Sequence, residues 1–259
     1  MNDINTSLAI EASEYEQIFI QKTTPESAVI AVIMPLYNYG NFAINALESL
    51  KDQTINNFDL VVVDDCSTDN SCEVVKEWLM RNATHFNHTI LVKHTRNQGL
   101  SGTRNTALTL TQSLYIFPLD PDNELFSRCL GALHEALVNS GAGFVFCYLE
   151  HFGEDTAIGG LDPWNPKRLQ EGNTIDAMVL HRRKILEEIR GYSVDMIYGW
   201  EDYDLWFKIA RTGNWGIRLP EILARYRVHK NSMLKQHTNP NIDKVWKNLH
   251  QKYPEFFQS

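Results

Sequence analysis

The feature that most constrains this chain is a repeated exchange between short continuous apolar runs and amphipathic stretches. VIAVIM at 29–34, FDLVVVDD at 58–65, TILVKH at 89–94 and LYIFPLD at 114–120 lack the polar alternation of a half-exposed strand. Runs of this kind suit strands covered on both faces. Between them lie segments with helical spacing. Ala43, Leu47 and Leu50 share one face of 41–51, and Val74, Val75, Trp78 and Leu79 point inward from 70–81. A third such segment covers 101–111. Strands and helices in this alternation predict βαβ units. The expected fold class is α/β, a doubly wound, mostly parallel sheet with helices on both faces.

Sheets of that kind bind ligands beyond the carboxyl ends of their strands. Those ends fall here at 35–38, 64–69, 94–99 and 120–122, and three of the four are rich in acids or turn-forming polar residues. This convergence is the first functional signal. The formal net charge of -8, with no basic face, argues against a nucleic-acid partner. It leaves room for a small phosphorylated ligand, because one bound cation reverses the local field.

The 259 residues suffice for one large α/β domain or two small ones sharing a core. Four scattered cysteines (Cys66, Cys72, Cys129, Cys147) form neither a disulfide framework nor a zinc pattern. The acidic start lacks the basic and apolar regions of a signal peptide, and the run at 29–34 is far short of a membrane helix. A cytoplasmic protein is expected, with peripheral attachment at the inner face of a membrane left open. Residues 1–27 read as an amphipathic appendage, since Leu8, Ala12, Tyr15, Ile18 and Phe19 recur at helical spacing.

The second half is less regular. A helix is expected over 124–139, strands over 143–150 and 174–180, and a helix over 182–189. The stretch 152–173, with four glycines and two prolines, reads as a long loop. A further helix begins near Glu201 and ends at Gly213.

Several residues carry chemistry. Asp120 and Asp122, in PLDPDN, can both reach a hard divalent cation, or one can bind it while the other meets water or a ribose hydroxyl. The same residues also make a strong turn sequence. Asp64 and Asp65 end the second run, where a carboxylate can accept from a base imide or a ribose hydroxyl. Ser67, Asp69 and Asn70 beside them suit a helix cap. Tyr37, in PLYN, offers a stacking face for a nucleobase or for ordinary packing. Arg104 sits in GLSGTRN at the start of the third helix, which is not a dinucleotide fingerprint. In GWEDYDLW, Glu201 and Asp202 occupy a helix's first turn, favoured there by the macrodipole, and also suited to a general base beside Trp200. His229 follows a late strand and reads either as packing or as a contact to metal or diphosphate.

PLYN, VVVDDCSTDNS, Arg104, PLDPDN, GWEDYDLW and YRVHKNS, in this order over residues 28–232, resemble the inverting family 2 glycosyltransferases of GT-A fold. The resemblance implies that Pro35 and Tyr37 line the nucleobase pocket and that Asp65 binds the base with Arg104 nearby. It implies Asp120 and Asp122 as the D-x-D, with Asp122 the direct ligand of Mg²⁺ or Mn²⁺ and His229 close to metal and diphosphate. Asp202 becomes the catalytic base, and Glu201 and Trp200 shape the acceptor or donor-sugar site. The chain then divides into the appendage, a nucleotide-sugar-binding half at 28–125, an acceptor-binding and catalytic half at 126–232, and a tail at 233–259.

The partners implied are a nucleotide-sugar donor, with uridine diphosphate expected, and a carbohydrate, glycolipid or glycoprotein acceptor. Two departures matter: the Q-x-x-R-W motif of processive synthases is missing, and Asn123 stands where many relatives carry another acid. One sugar per encounter is therefore expected. Two rivals remain: a non-catalytic nucleotide-sugar-binding module, and a nucleotidyltransferase. The second would carry a basic Gly-rich loop where this chain reads PLYNYGN.

Overall fold

The computed structural model describes residues 13–257. In chain order the strands are β1 (Tyr15–Lys22), β2 (Ile30–Leu36), β3 (Phe58–Asp64), β4 (His88–His94), β5 (Tyr115–Pro118), β6 (Glu124–Leu125), β7 (Phe144–Gly153), β8 (Ala157–Gly159), β9 (Leu180–Arg182) and β10 (Gly216–Val228). The helices are α1 (Gly40–Lys51), α2 (Ser71–Asn82), α3 (Gly99–Thr109), α4 (Cys129–Ser140), α5 (Arg183–Glu188), α6 (Glu201–Arg211) and α7 (Ile242–Lys252). The strands form one sheet in the order β1-β4-β3-β2-β5-β9-β7-β10-β6, with β8 added on β7. The ladders β4-β3-β2-β5 and β7-β10 are parallel, and the edge strand β1 and the short strands β6, β8 and β9 join antiparallel.

Strict side-chain alternation gives the sheet two buried faces. From β2, Ile30, Val32, Met34 and Leu36 meet Leu47 and Leu50 of α1, Val75 and Leu79 of α2, and Leu133 and Leu137 of α4. Ala31 and Ile33, with Val61 and Val63 of β3, face the other layer, made of Leu108, Ile185, Trp206 and Leu249 from α3, α5, α6 and α7. Each fully buried Val, Leu or Ile contributes about 1.5–3 kcal/mol, so a one-residue slip that exchanged the layers would forfeit many such contributions. The alternation fixes the register, and the register fixes where the strand ends lie.

Four expectations change. The helical spacing read at the N-terminus rests partly on Leu8 and Ala12, which lie outside the described residues. Tyr15–Lys22 is a strand, antiparallel to β4 with Tyr15 opposite His94. Its apolar and aromatic residues do better covering the open hydrogen-bonding edge of β4 than in a helix. Glu124 begins β6, and the helix starts only at Cys129, because Glu124 is drawn to Arg225 at 2.8 Å and Arg227 at 2.6 Å on β10. The strand expected at 174–180 is reduced to β9, since Asp176 turns the chain by accepting from Met178 N–H at 2.9 Å. The presumed tail contains α7, whose Val245 and Leu249 are buried in the second layer.

Candidate active site

The carboxyl ends of β2 and β3 are laced together by short polar contacts. Asp65 N–H donates to Leu36 O at 2.7 Å, and Asn38 N–H to Ser67 Oγ at 3.0 Å. Asn38 takes the left-handed conformation at φ 56°, which lets its Oδ1 accept from Thr68 N–H at 2.9 Å. Asp65 is 3 % exposed and its carboxylate accepts from three protein donors: His94 Nδ1 and Gln98 N on Oδ1, each at 2.7 Å, and Gly99 N alone on Oδ2 at 2.9 Å. Pro35 lies buried within β2 opposite Val63, while Tyr37, just past the strand, is 43 % exposed. The free aromatic face therefore belongs to Tyr37. Asp64 is buried, accepts from Ser67 N–H at 2.9 Å, and is pushed above the ordinary carboxylate range by burial.

Across the sheet, the ends of β5 and β10 bring Asp122 and His229 together although they lie far apart in sequence: Oδ2 and Nε2 are 3.0 Å apart. Arg227 clamps this corner, its Nε donating to Asp122 O at 2.9 Å and its backbone N–H to Asn123 Oδ1 at 3.0 Å. Asn123 thus pins the loop to β10 where an acid would repel its neighbours. The His229 ring rests against Phe42 and Tyr39. Burial raises the Asp122 carboxyl, and the Asp120 charge adds to it against the lowering pull of His229.

Arg104 departs furthest from expectation. It is fully buried, with Nη2 2.6 Å from Asp120 Oδ1 and Nη1 bonded to Glu201 Oε1, and it lies over the Tyr192 ring. It is held by two carboxylates and not free for a base or phosphate. Glu201, 5 % exposed, is likewise committed as its counter-charge. This one guanidinium ties the D-x-D after β5 to the first turn of α6.

Asp202 follows on that turn. Asn173 Nδ2 donates to its Oδ2 at 3.0 Å and Tyr203 N–H to its Oδ1 at 2.8 Å. Burial, then Glu201 and Asp176, push its carboxyl up to about 8. Trp200 caps α6 in the left-handed conformation at φ 58°, edge-on to Tyr203 and Trp246. Such a conformation costs about 1–3 kcal/mol in a non-glycine residue and concentrates at functional sites. Gly199 before it sits at φ 94°, and a Cβ there would meet Thr238 Oγ1 at 2.3 Å.

Asp176 was not singled out by the sequence. Burial and the charge of Asp120 push its carboxyl up to about 7, and it adds to the shifts of both Asp202 and Tyr226. Its local signal is only that of a turn. Burial raises the Tyr226 phenol, and the charges of Asp176, Asp122, Asp120 and Asp202 add to it. Three of these acids, Asp120, Asp122 and Asp202, come from the D-x-D and from α6.

An α/β fold with acids collected at its strand ends suits a ligand bound beyond the carboxyl ends of the strands. Comparison with known proteins makes this specific. Residues 31–195 match the model of Glycosyl transferase family 2, and the chain belongs to that family. It is 36 % identical over 129 residues to glycosyltransferase GlyA of Streptococcus pneumoniae, half of this chain but 18 % of that protein. With EpsE of Bacillus subtilis it shares 26 % over 225 residues, 83 % of this chain and 78 % of the relative. The chain spans well under two thirds of GlyA and of S. pneumoniae GlyG, at 38 % of the latter.

Among solved structures, S. aureus TarS 1-349 in complex with UDP-GlcNAc superposes with TM-score 0.66 at 18 % identity, covering 80 % of this chain and 60 % of that one. Mannosyltransferase PcManGT from Pyrobaculum calidifontis, in complex with GDP-Man and Mn2+, gives 0.65 at 22 %, covering 86 % and 65 %. These establish the GT-A-type fold. No helix among the described residues is long and apolar enough to cross a membrane.

Proposed function

We propose that this glycosyltransferase moves one sugar from a nucleoside-diphosphate sugar, with uridine diphosphate as the carrier, to a hydroxyl of a carbohydrate, glycolipid or glycoprotein acceptor, with inversion. The observation that carries the reading is the Arg104 bridge. One buried side chain holds Asp120 of the D-x-D and Glu201, the neighbour of Asp202, so the diphosphate end and the base form one rigid unit. Family membership supports it, as do neighbours of the same fold that bind UDP-GlcNAc or GDP-Man.

Asp122 and His229 fit a hard divalent cation in an open site. Mg²⁺ and Mn²⁺ take a few protein ligands and complete their shell from phosphate and water. Among the described residues no group of three or more candidate ligands is gathered, which suits an ion shared with a donor and not a closed protein cage. When bound, such an ion neutralises charge on the departing diphosphate. Tyr37 stacks on the base, and Asp65 Oδ2 keeps a lone pair for its imide N–H. Asp202 takes the proton of the acceptor hydroxyl as that oxygen attacks the anomeric carbon, while Asn173 and the Tyr203 N–H orient the carboxylate. A base works best with its proton affinity near the working pH, as the raised Asp202 carboxyl provides. Trp200 offers the sugar an apolar face.

The test is a panel of UDP- and GDP-linked sugars, with Mn²⁺ and without, read by binding and by release of nucleoside diphosphate. Binding and turnover of at least one donor by the native chain is expected, with turnover lost and binding kept in Asp202→Asn. Transfer by Asp202→Asn, or no donor bound at all, overturns the proposal. Donor binding without turnover in the native chain would reduce it to a nucleotide-sugar-binding module.

A further inference from the structure

We infer that the edge strand β1 belongs to the donor-binding apparatus, through a hydrogen-bonded relay that makes His94 and Thr106 positioning residues for Asp65. The inference rests on the donor reading above. It goes beyond it in assigning function to residues ahead of the family match, which begins at residue 31.

The relay is continuous and directional. Ser13 N–H, just before β1, donates to Thr106 Oγ1 at 3.2 Å. Thr106 Oγ1 lies 2.9 Å from His94 Nε2, and His94 Nδ1 lies 2.7 Å from Asp65 Oδ1. A carboxylate facing Nδ1 places the proton on that nitrogen, which leaves Nε2 as an acceptor. The Thr106 hydroxyl then turns its hydrogen to Nε2, and its lone pair faces Ser13 N–H. Every donor has one acceptor along the line.

Asp65, His94 and Thr106 are 3 %, 1 % and 0 % exposed, so water does not substitute for a missing member. Low exposure also makes each break costly, because it strands a buried polar group. The strand itself seats the start of the relay: Thr95 N–H donates to Glu14 O at 3.2 Å, and Tyr15 pairs with His94.

The consequence falls on the base pocket. Asp65 fixes the Gln98 and Gly99 amides at the start of α3 while keeping one Oδ2 lone pair for a ligand. A carboxylate held from three directions keeps that lone pair aimed; one released from His94 does not. β1 is therefore a support for nucleobase recognition and not only a cover for the β4 edge.

The experiment measures UDP affinity by calorimetry, together with amide hydrogen exchange at Gln98 and Gly99, on full-length variants. His94→Leu is expected to weaken UDP about tenfold or more and to speed exchange at both amides. His94→Asn, whose amide can occupy the Nδ1 position, should recover most of the affinity. Thr106→Val should cost about three- to tenfold, and Thr106→Ser should restore it. Ser13→Pro, which removes the N–H while leaving the relay's side chains in place, should weaken UDP by a smaller factor. Donor KM should rise in the weakened variants with kcat at saturation preserved.

Val138→Ala, at an exposed residue of α4 away from the relay, should leave affinity unchanged. Equal weakening in Val138→Ala and Ser13→Pro, or native affinity in His94→Leu and Thr106→Val, overturns the inference. If the native chain binds no nucleoside diphosphate, the donor reading falls by itself. Native exchange rates at Gln98 and Gly99 in His94→Leu would then still refute the relay.

Discussion

The two acidic ends of the cleft are built in opposite ways. At the β3 end, Asp65 is satisfied by three protein donors before any ligand arrives. At the far end, Arg104 is the buried cation between Asp120 and Glu201, and the carboxyls of Asp122, Asp176 and Asp202 are all raised by burial first and by acidic neighbours after it. The first end is held rigid by its own donors. The second carries raised carboxyls that a cation or an incoming proton would relieve. On the proposed function, rigidity serves recognition of the base and the crowded acids serve the chemistry.

The contrast breaks most readily at Asp202. Asp202→Asn should lower transfer by about 10²–10⁴-fold, the range of a lost general base, measured as initial rate at saturating donor. The same variant should be more stable than the native chain at pH 8, by about 1–2 kcal/mol in thermal or urea unfolding, because one crowded carboxylate is gone. A destabilised Asp202→Asn would mean that the far end is not under tension.

Arg104→Met tests the other side of that balance. It leaves the buried Glu201 and the half-buried Asp120 without their partner and should cost about 3–5 kcal/mol in urea unfolding. Arg104→Lys should recover only part, since an ammonium cannot bond both carboxylates as a fork does. A loss below about 1 kcal/mol, the worth of an exposed pair, would show that Arg104 does not bridge the two halves.

The pH dependence sharpens the comparison with a smaller effect. Asp176 and Asp202 hold protons in the folded chain up to about 7 and about 8, whereas unfolded carboxyls titrate near 3.9. Folding takes up protons between those limits. The stability they contribute is therefore full below the unfolded value and is lost as pH rises through the folded values. Melting temperatures of Asp176→Asn and the native chain should agree near pH 4 and diverge in favour of the variant toward pH 8. Parallel curves would contradict the raised Asp176.

His181 is an acid-side counterpart outside the cleft. It is fully buried, neither ring nitrogen has a partner among the described residues, it is stacked on Trp206, and burial lowers it to about 3. A depressed histidine stabilises the fold fully above its unfolded value near 6.5 and loses that contribution as pH falls toward the folded value. His181→Phe should flatten the decline in melting temperature between about pH 6 and 4. An unchanged acid limb would show that His181 stays neutral on unfolding or is paired.

The strand ends are more legible in the sequence than the contacts between them. Apolar runs fix β2 to β5, so the strand-end positions of Tyr37, Asp65, Asp120 and Asp122 follow from local pattern alone. His229 beside Asp122 came from resemblance, because a pairing across β5 and β10 leaves no local trace. Asp176 was missed for the same reason. Its turn sequence says nothing of the carboxylates that surround it once the chain is folded. The sequence sets Arg104 at the start of α3 but not its partners, because a guanidinium's partners come from distant elements. β1 was read as a helix because its apolar residues fit both periods over so short a span, and only the open edge of β4 decides between them.

The most direct test is a UDP titration with and without Mn²⁺, run on the native chain, Asp122→Asn and Asp202→Asn. Mn²⁺ should strengthen UDP binding in the native chain and in Asp202→Asn, and Asp122→Asn should cost at least about tenfold in that metal-dependent affinity. UDP binding that ignores Mn²⁺ in the native chain, or that responds to it equally in Asp122→Asn, would contradict a cation site at the D-x-D.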